Sequence, residues 1–400
     1  MRGYLAFTRG GDAIAELDGL RAFAILLVLA RHGIRPFWQE AAPLFPIAGW
    51  DAAVPLLNGW IGVDLFFVLS GFLIAHHILR RWGNGFGNTG VRDYLIKRAL
   101  RIVPAYYAVL FIAAWGWIPA YAPGSEALGL RIAYHMLFFQ DYLPANIVVP
   151  FWSLGVEEKF YLLAPLLLVL LLKLRRPAWQ YAAIASLAFV PLGLRSLTYL
   201  THPEITTYAE FFPVFRSPFH VSFDGLAVGT LCALLYRDRA RLTGLAGNWL
   251  FWGGLVPVAG LLAVAPLLDD GVGFFAKSGL QTVLSVGMGG LVLGAALGGG
   301  PGGFLRQWWL LVLARISFSL YLIHLTLLPG IRQALNAAIG LDTLAPAVQA
   351  LIFLPVFALA SVVAALVLHY LVEKPFLLLK DCMRIAPVTQ AARVGLVTGS

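Results

Sequence analysis

Apolar residues in this chain come in runs of about twenty, separated by short polar segments rich in arginine. A run of that length can cross the hydrocarbon core of a bilayer as an α-helix. The pattern therefore predicts an all-α membrane protein, a bundle of ten transmembrane helices. The predicted spans are Leu17–Ile34, Trp60–Leu79, Ile102–Tyr121, Trp152–Leu172, Tyr181–Leu200, Val221–Tyr236, Trp249–Leu267, Ser278–Leu297, Trp308–Leu328 and Val348–Leu371.

The basic residues give these spans a direction. With the N-terminus in the cytoplasm, the inner segments hold nineteen lysines and arginines and the outer segments hold five. Membrane proteins show this excess on the cytoplasmic side, so both termini are predicted to be cytoplasmic. The apolar stretch Leu130–Gln140 is too short to cross and is predicted to be an interfacial or re-entrant helix. Counting it as a span would invert every later segment and remove the charge bias.

Composition agrees with this class of protein. Of the 400 residues, 60% are hydrophobic and 12% are charged, which is too little charge for a soluble surface. The net charge of +9 fits basic inner loops, so no nucleic-acid partner is predicted. The two cysteines form no CxxC pair, and no metal-ligand spacing such as HExxH occurs. The sequence therefore predicts no metal site and no permanently bound cofactor.

Charged and titratable residues inside predicted spans are costly and need a partner or a function. Arg21 and His32 are eleven residues apart in the first span, which places them on one helix face about 16 Å from each other. One interpretation is a path through the membrane; the other is a snorkelling arginine and a packed histidine. Asp64, about one turn into the second span, is either functional or a structural hydrogen-bond partner.

The fourth span opens with a polar face. Ser153, Glu157 and Tyr161 follow one another at intervals of four residues, and Glu158 adds a second carboxylate. Two adjacent carboxylates are hard to explain by packing, since Lys159 can pair with only one of them. This face is predicted to lie near the outer end of the bundle, at a depth similar to that of His32.

Cations concentrate at the opposite, inner end. The loop after the second span contains Lys97, Arg98 and Arg101, which suit either anionic lipid or the phosphates of a cytosolic donor. In the ninth span, Arg315 is inner, whereas Tyr321 and His324 lie further out.

Six segments, in this order, resemble the acyltransferase-3 family of integral membrane O-acyltransferases. They are Leu17–Ala22 followed by His32, Gly62–Ile74, Arg98–Tyr106, Trp152–Tyr161, Ile316–His324 and Glu373–Pro375. The resemblance implies an acyltransferase-3 transmembrane domain over residues 1–380, followed by a disordered cytoplasmic tail at 381–400. It also implies a bacterial inner-membrane enzyme that moves an acyl group, usually acetyl, from cytosolic acyl-CoA to a hydroxyl of an extracytoplasmic glycan or lipid-linked sugar.

The resemblance also suggests roles for individual residues. The family's Arg-x10-His pair falls on Arg21 and His32, and its Ser-x-x-x-Glu element falls on Ser153 and Glu157. Our hypothesis is that Arg98, Arg101 and the deeper Arg21 hold the phosphates of acyl-CoA. His32 is then a general base or a transient acyl carrier, with Glu157 or Glu158 orienting its ring. The remaining candidates are Asp64 as a further catalytic residue and, as substrate contacts, Trp152, Tyr161, Tyr321 and His324.

One departure and two rival functions stay open. Many family members have Arg-x-Asp near the chain middle, but here the run is Ser222-Phe223-Asp224, and Arg195 or Arg216 could supply the missing cation. A multi-span permease with a proton-linked His–Glu pair fits the buried charge equally well, although transporters often contain internal repeats and none is visible here. An assembly component without activity is the third possibility.

Overall fold

The computed structural model describes residues 14–39, 42–82, 88–144, 146–202, 205, 207–241, 246–264 and 273–382. Within these ranges the chain is a bundle of helices. Those of nine residues or more are α1 (Ala15–Ile34), α2 (Ile61–Trp82), α3 (Asn88–Ala114), α4 (Leu128–Met136), α5 (Trp152–Lys173), α6 (Pro177–Thr201), α7 (Asp224–Arg237), α8 (Ala246–Val264), α9 (Leu280–Ala296), α10 (Trp308–Ile339), α11 (Pro346–Leu368) and α12 (Lys374–Cys382).

Shorter elements join these helices. The segment between α1 and α2 contains a small antiparallel pair of strands, β1 (Pro46–Ile47) and β2 (Trp50–Asp51). The remaining elements are single helical turns at Arg35–Phe37, Val54–Leu57, Asn58–Trp60, Val149–Phe151, Tyr208–Phe211, Phe212–Arg216, Phe219–Ser222, Arg239–Arg241, Phe275–Gly279, Gly302–Leu305, Leu341–Thr343 and His369–Glu373.

The helices agree with a multi-pass membrane protein. Each of the ten predicted spans overlaps one of the long helices in the described part of the chain. Six helices there are long and apolar enough to cross a membrane. The other four are α7, which has only 14 residues, and α1, α3 and α5, which have charged side chains within them. The number of spans and the side of each terminus remain predictions.

Some predicted boundaries are displaced. Helix α3 begins fourteen residues before the predicted Ile102 and ends at Ala114 rather than Tyr121, because its first turns are too polar to be counted as a span. Helix α10 continues from the predicted end at Leu328 to Ile339. The short helix predicted near residues 130–140 is α4. Most of the tail predicted for 381–400 lies outside the described residues, which end at 382.

Helix α2 packs unusually closely against α1 and α7 through glycines. A Cβ atom at Gly62 would lie 2.2 Å from the carbonyl oxygen of Ala24, and one at Gly71 would lie 2.1 Å from the carbonyl oxygen of Leu226. Glycine is therefore required for the backbones to meet, as is common where membrane helices cross. Ser70, the residue before Gly71, has a polar partner described below.

Substituting Gly71 by alanine is expected to destabilise the protein by about 1–3 kcal/mol, because the added carbon forces α2 and α7 apart. Thermal unfolding in detergent measures the change. Gly253→Ala in α8 is the matched control, since a Cβ there meets nothing within 4 Å. An unfolding temperature for Gly71→Ala equal to that of the control would show that the two backbones are not in contact.

Candidate active site

A cavity of about 550 Å³ lies between α1, α2, α3, α5, α10 and the segment after α11. One end of it is strongly basic. Three carboxylates line the cavity, against six arginine and lysine side chains, so the described lining has a surplus of positive charge. The six cations are Arg21, Arg98, Arg101, Arg315, Lys374 and Lys380.

Aromatic rings hold one of these cations in place. The guanidinium of Arg98 lies 5.5 Å from the ring centre of Tyr161 and 5.7 Å from that of Tyr94. Arg21 forms an ion pair of 2.9 Å with Asp18, one turn earlier on α1. The predicted cations Arg21, Arg98 and Arg101 therefore meet in one cavity although they come from two helices.

Helix α5 presents its predicted polar face to this cavity. Ser153, Glu157 and Tyr161 all line it. The carboxylate of Glu157 accepts hydrogen bonds from Ser70 at 3.0 Å and from Tyr161 at 2.5 Å. This carboxylate is thus fixed between α2 and α5, part-way along the cavity.

A hydroxyl pair lines the end of the cavity away from the cations. The hydroxyls of Ser153 and Tyr321 lie 2.7 Å apart, and the Tyr321 hydroxyl also donates to the carbonyl of Pro150 at 2.9 Å. Tyr321 is six residues beyond Arg315 on α10, about 9 Å along the helix. The cavity therefore runs along the bundle from a cationic end to a neutral, hydroxyl-lined end.

A second polar cluster lines the cavity where α11 ends. The turn His369–Glu373 is π-helical, a distortion that often occurs at functional sites. Glu373 accepts hydrogen bonds from His369 at 2.8 Å and from Ser319 at 2.7 Å. Lys374 follows directly. The segment Glu373–Pro375 therefore contributes both a hydrogen-bonded carboxylate and a cation to the cavity.

His32 lies beside the hydroxyl-lined end of the cavity and is not part of its described lining. Its Nδ1 is 3.1 Å from Nε2 of His324 on α10. The ring centre of His324 is 5.8 Å from that of Tyr321, one turn away. Tyr321 thus connects the cavity lining to the histidine pair.

The expected contact between His32 and a glutamate is not what the structure shows. Glu157 is bound to Ser70 and Tyr161, and one oxygen of Glu158 is buried without a hydrogen-bond partner. Sequence spacing placed both glutamates in the first turns of α5, but it could not identify which residue faces His32. That partner is His324, which we had predicted to contact substrate.

Lys159 does not pair with either glutamate. Its ammonium donates to the carboxylate of Asp141 at 2.6 Å. Burial raises the pKa of the Asp141 carboxyl, while the hydrogen bond and charge of Lys159 act in the opposite direction. Asp141 thereby anchors the segment after α4 to the first turns of α5.

Asp64 and Trp152 belong to a buried ion-pair site rather than to the cavity lining. Both oxygens of Asp64 accept from Arg216, at 2.6 and 2.8 Å. The Arg216 guanidinium also lies 5.1 Å from the ring centre of Trp60 and 5.2 Å from that of Trp152. This geometry favours the structural role for Asp64, and it makes Trp152 a packing partner of Arg216.

Comparison with known proteins now adds to this geometry. The profile of a family described as an acyltransferase domain, the acyltransferase-3 family, matches residues 14–370. The chain belongs to the acyltransferase-3 family. The residues that form the basic end, the α5 face and the histidine pair lie within this matched range, except for Lys374 and Lys380, which follow it.

Curated relatives resemble only part of this acyltransferase-3 chain. A Bacillus subtilis (strain 168) protein, named as a candidate peptidoglycan O-acetyltransferase, is 30% identical over 188 residues, or 44% of this chain and 26% of that protein. A peptidoglycan O-acetyltransferase of Listeria monocytogenes is 27% identical over 202 residues, or 47% of this chain and 29% of that protein. The matches thus cover less than a third of the length of these relatives. No solved structure matches.

The cation that the family usually places before Asp224 comes from another helix here. Arg195 on α6 donates to Asp224 at 2.9 Å and is fully buried. Thr282 on α9 donates to the same carboxylate oxygen at 2.8 Å. Arg195 is not part of the described cavity lining, so this pair ties α6, α7 and α9 together and is not positioned to contact a donor in the cavity.

Sequence reasoning missed several cavity residues. The pattern did not single out Ser70 as a site residue, and it placed Arg315 only at the inner end of its span. Lys374 and Lys380 were counted as topology signals, because nothing in the pattern shows that the chain after α11 turns back across the cavity. The Glu373–Pro375 motif was the available signal for this segment.

Proposed function

We propose that this acyltransferase-3 protein is a membrane O-acyltransferase. It takes an acyl group, acetyl in the simplest case, from cytosolic acyl-CoA. It transfers this group to a hydroxyl of a glycan or lipid-linked sugar on the far side of a bacterial inner membrane. Because the curated relatives are named as peptidoglycan O-acetyltransferases, a peptidoglycan hydroxyl is the first acceptor to test.

The asymmetry of the cavity carries this proposal. A donor with several phosphates and a long neutral arm needs cations at one end and a narrow polar channel beyond them. The cavity offers six lysine and arginine side chains followed by the hydroxyls of Ser153 and Tyr321. By the charge bias of the loops, the cationic end faces the cytoplasm, where acyl-CoA is present.

Residues of this chain can accept and return the proton that acyl transfer requires. With the thioester extended past Tyr321 to His32, the acceptor hydroxyl gives its proton to His32 as its oxygen attacks the thioester carbonyl carbon. The new carbon–oxygen bond forms, the carbon–sulfur bond breaks, and the thiolate leaves. His32 returns the proton to the sulfur, so the products are an ester and CoA as a thiol.

Turnover of labelled acetyl-CoA tests the proposal. The full chain is reconstituted in nanodiscs with a muropeptide or lipid-linked sugar acceptor, and both free CoA and the O-acetyl product are measured. An acyltransferase releases CoA in step with ester formation. Absence of CoA release and of protein acylation, together with flux of a solute in liposomes, would favour the permease interpretation and overturn the proposal.

Arg101 is expected to act mainly in donor binding. Arg101→Gln removes a charge from the basic end of the cavity, and loss of one charge-assisted phosphate contact costs about 1.5–3 kcal/mol. The KM for acetyl-CoA should therefore rise at least tenfold, with a smaller change in kcat. Arg332→Gln is the control, because Arg332 is exposed in an ion pair with Asp342. Equal KM values for the two variants would remove Arg101 from the donor site.

A further inference from the structure

The two nitrogens of His324 have different partners, and this difference fixes where its proton lies. Its Nδ1 is 2.9 Å from the carbonyl oxygen of Tyr321 and 3.1 Å from that of Leu320. A carbonyl oxygen can only accept a hydrogen bond, so Nδ1 must bear the hydrogen. In the neutral ring the lone pair is then on Nε2.

His324 is neutral for a physical reason. The side chain is 0% exposed, and its hydrogen-bond partners are two uncharged carbonyls and a second imidazole. A charged ring at this position would lose its hydration without gaining an anion. The free lone pair on Nε2 is therefore the group that faces Nδ1 of His32, 3.1 Å away.

The consequence for His32 follows from the same rule. Two lone pairs cannot face each other at 3.1 Å, so Nδ1 of His32 must carry a hydrogen and donate it to His324. The lone pair of His32 is then on its other nitrogen, Nε2. The Asp–His unit of serine hydrolases fixes the tautomer of its histidine in a similar way, but with a carboxylate as the acceptor.

We propose that His324 is a positioning residue: its Nε2 accepts the Nδ1 hydrogen of His32 and thereby presents Nε2 of His32 as the base. The expected effect on the rate rests on the proposed acyl transfer. The tautomer of His32 is inferred from the hydrogen-bond geometry alone. His324 acts through His32 and contacts neither the acyl group nor the acceptor. When His32 takes the acceptor proton, the hydrogen bond to Nε2 of His324 also stabilises the resulting imidazolium.

Two substitutions separate an acceptor role from simple packing. His324→Leu fills the site without an acceptor, whereas His324→Gln provides an amide oxygen for His32 and an NH₂ group for the carbonyls. We expect kcat to fall about 100-fold in His324→Leu, with the KM for acetyl-CoA changed less than about twofold. His324→Gln should stay within about tenfold of wild type. Thr326→Val is the matched control, since Thr326 is buried on the same helix and bonds only locally to Ile323.

The tautomer is read directly by ¹⁵N NMR of histidine-labelled protein, with the His32 signal assigned by its loss in His32→Asn. Wild type should show His32 protonated at Nδ1, and His324→Leu should shift it towards the Nε2-protonated form that predominates in water. A wild-type His32 protonated at Nε2, or a His324→Gln no more active than His324→Leu, overturns the proposal. A wild type that forms no ester would instead refute the proposed function, while the NMR result would still decide the tautomer.

Discussion

Replacing His32 by alanine is expected to lower acyl transfer by about two to four orders of magnitude, the usual contribution of a positioned general base. The variant should still bind acetyl-CoA, because the cations proposed to bind its phosphates line the cavity, whereas His32 is not part of the described lining. The measurement is the initial rate of O-acetyl product formation in nanodiscs, with CoA release followed in parallel.

The control for His32→Ala is a second histidine with no connection to the cavity. His202 is exposed at the end of α6 and contacts its neighbour Thr201. His202→Ala should keep the wild-type rate and unfolding temperature. If a folded, inserted His32→Ala also transfers acyl groups at nearly the wild-type rate, then His32 is neither base nor acyl carrier.

The largest loss of stability is expected when one partner of the Asp64–Arg216 pair is removed. Both side chains are at most 4% exposed, so Arg216→Met leaves an unpaired carboxylate in the bundle. Breaking a buried pair in this way costs about 3–5 kcal/mol. Thermal unfolding in detergent should detect this as a large downward shift, with a poor yield of folded protein.

The double variant Asp64→Leu with Arg216→Met tests whether the pair has a structural or a catalytic role. Because the double variant removes both charges, its unfolding temperature should return most of the way to the wild-type value. The remaining loss should come from the contacts of Arg216 with two tryptophan rings. Acyl transfer within about tenfold of wild type would agree with a structural role for Asp64. A stable but inactive double variant would restore Asp64 to the list of catalytic candidates.

The features that sequence predicted well are properties of single helices. The period of 3.6 residues put Ser153, Glu157 and Tyr161 on one face, and all three line the cavity. Hydropathy found every long helix among the described residues, and failed at helix ends where polar turns continue, as at the start of α3.

The features it did not predict are contacts between helices. His32 and His324 are 292 residues apart, and Asp64 and Arg216 are 152 apart. A helical pattern says which face of a helix is polar but not which other face it meets. For this reason the sequence left Asp64 as either a catalytic residue or a structural partner, and only the structure shows Arg216 bound to both of its oxygens.

The position of the Ser153–Tyr321 hydroxyl pair, at the end of the cavity next to the histidine pair, has an electrical consequence. In the proposed reaction the acyl group passes outward beyond this pair and becomes part of a neutral ester, while the acceptor's hydrogen passes inward and becomes part of a neutral thiol. No net charge crosses in a complete turnover. The membrane potential then neither drives nor opposes the reaction, and the free energy of the thioester alone sets its direction. The proposed reaction would therefore acylate an acceptor on the far side of the membrane without using the proton gradient.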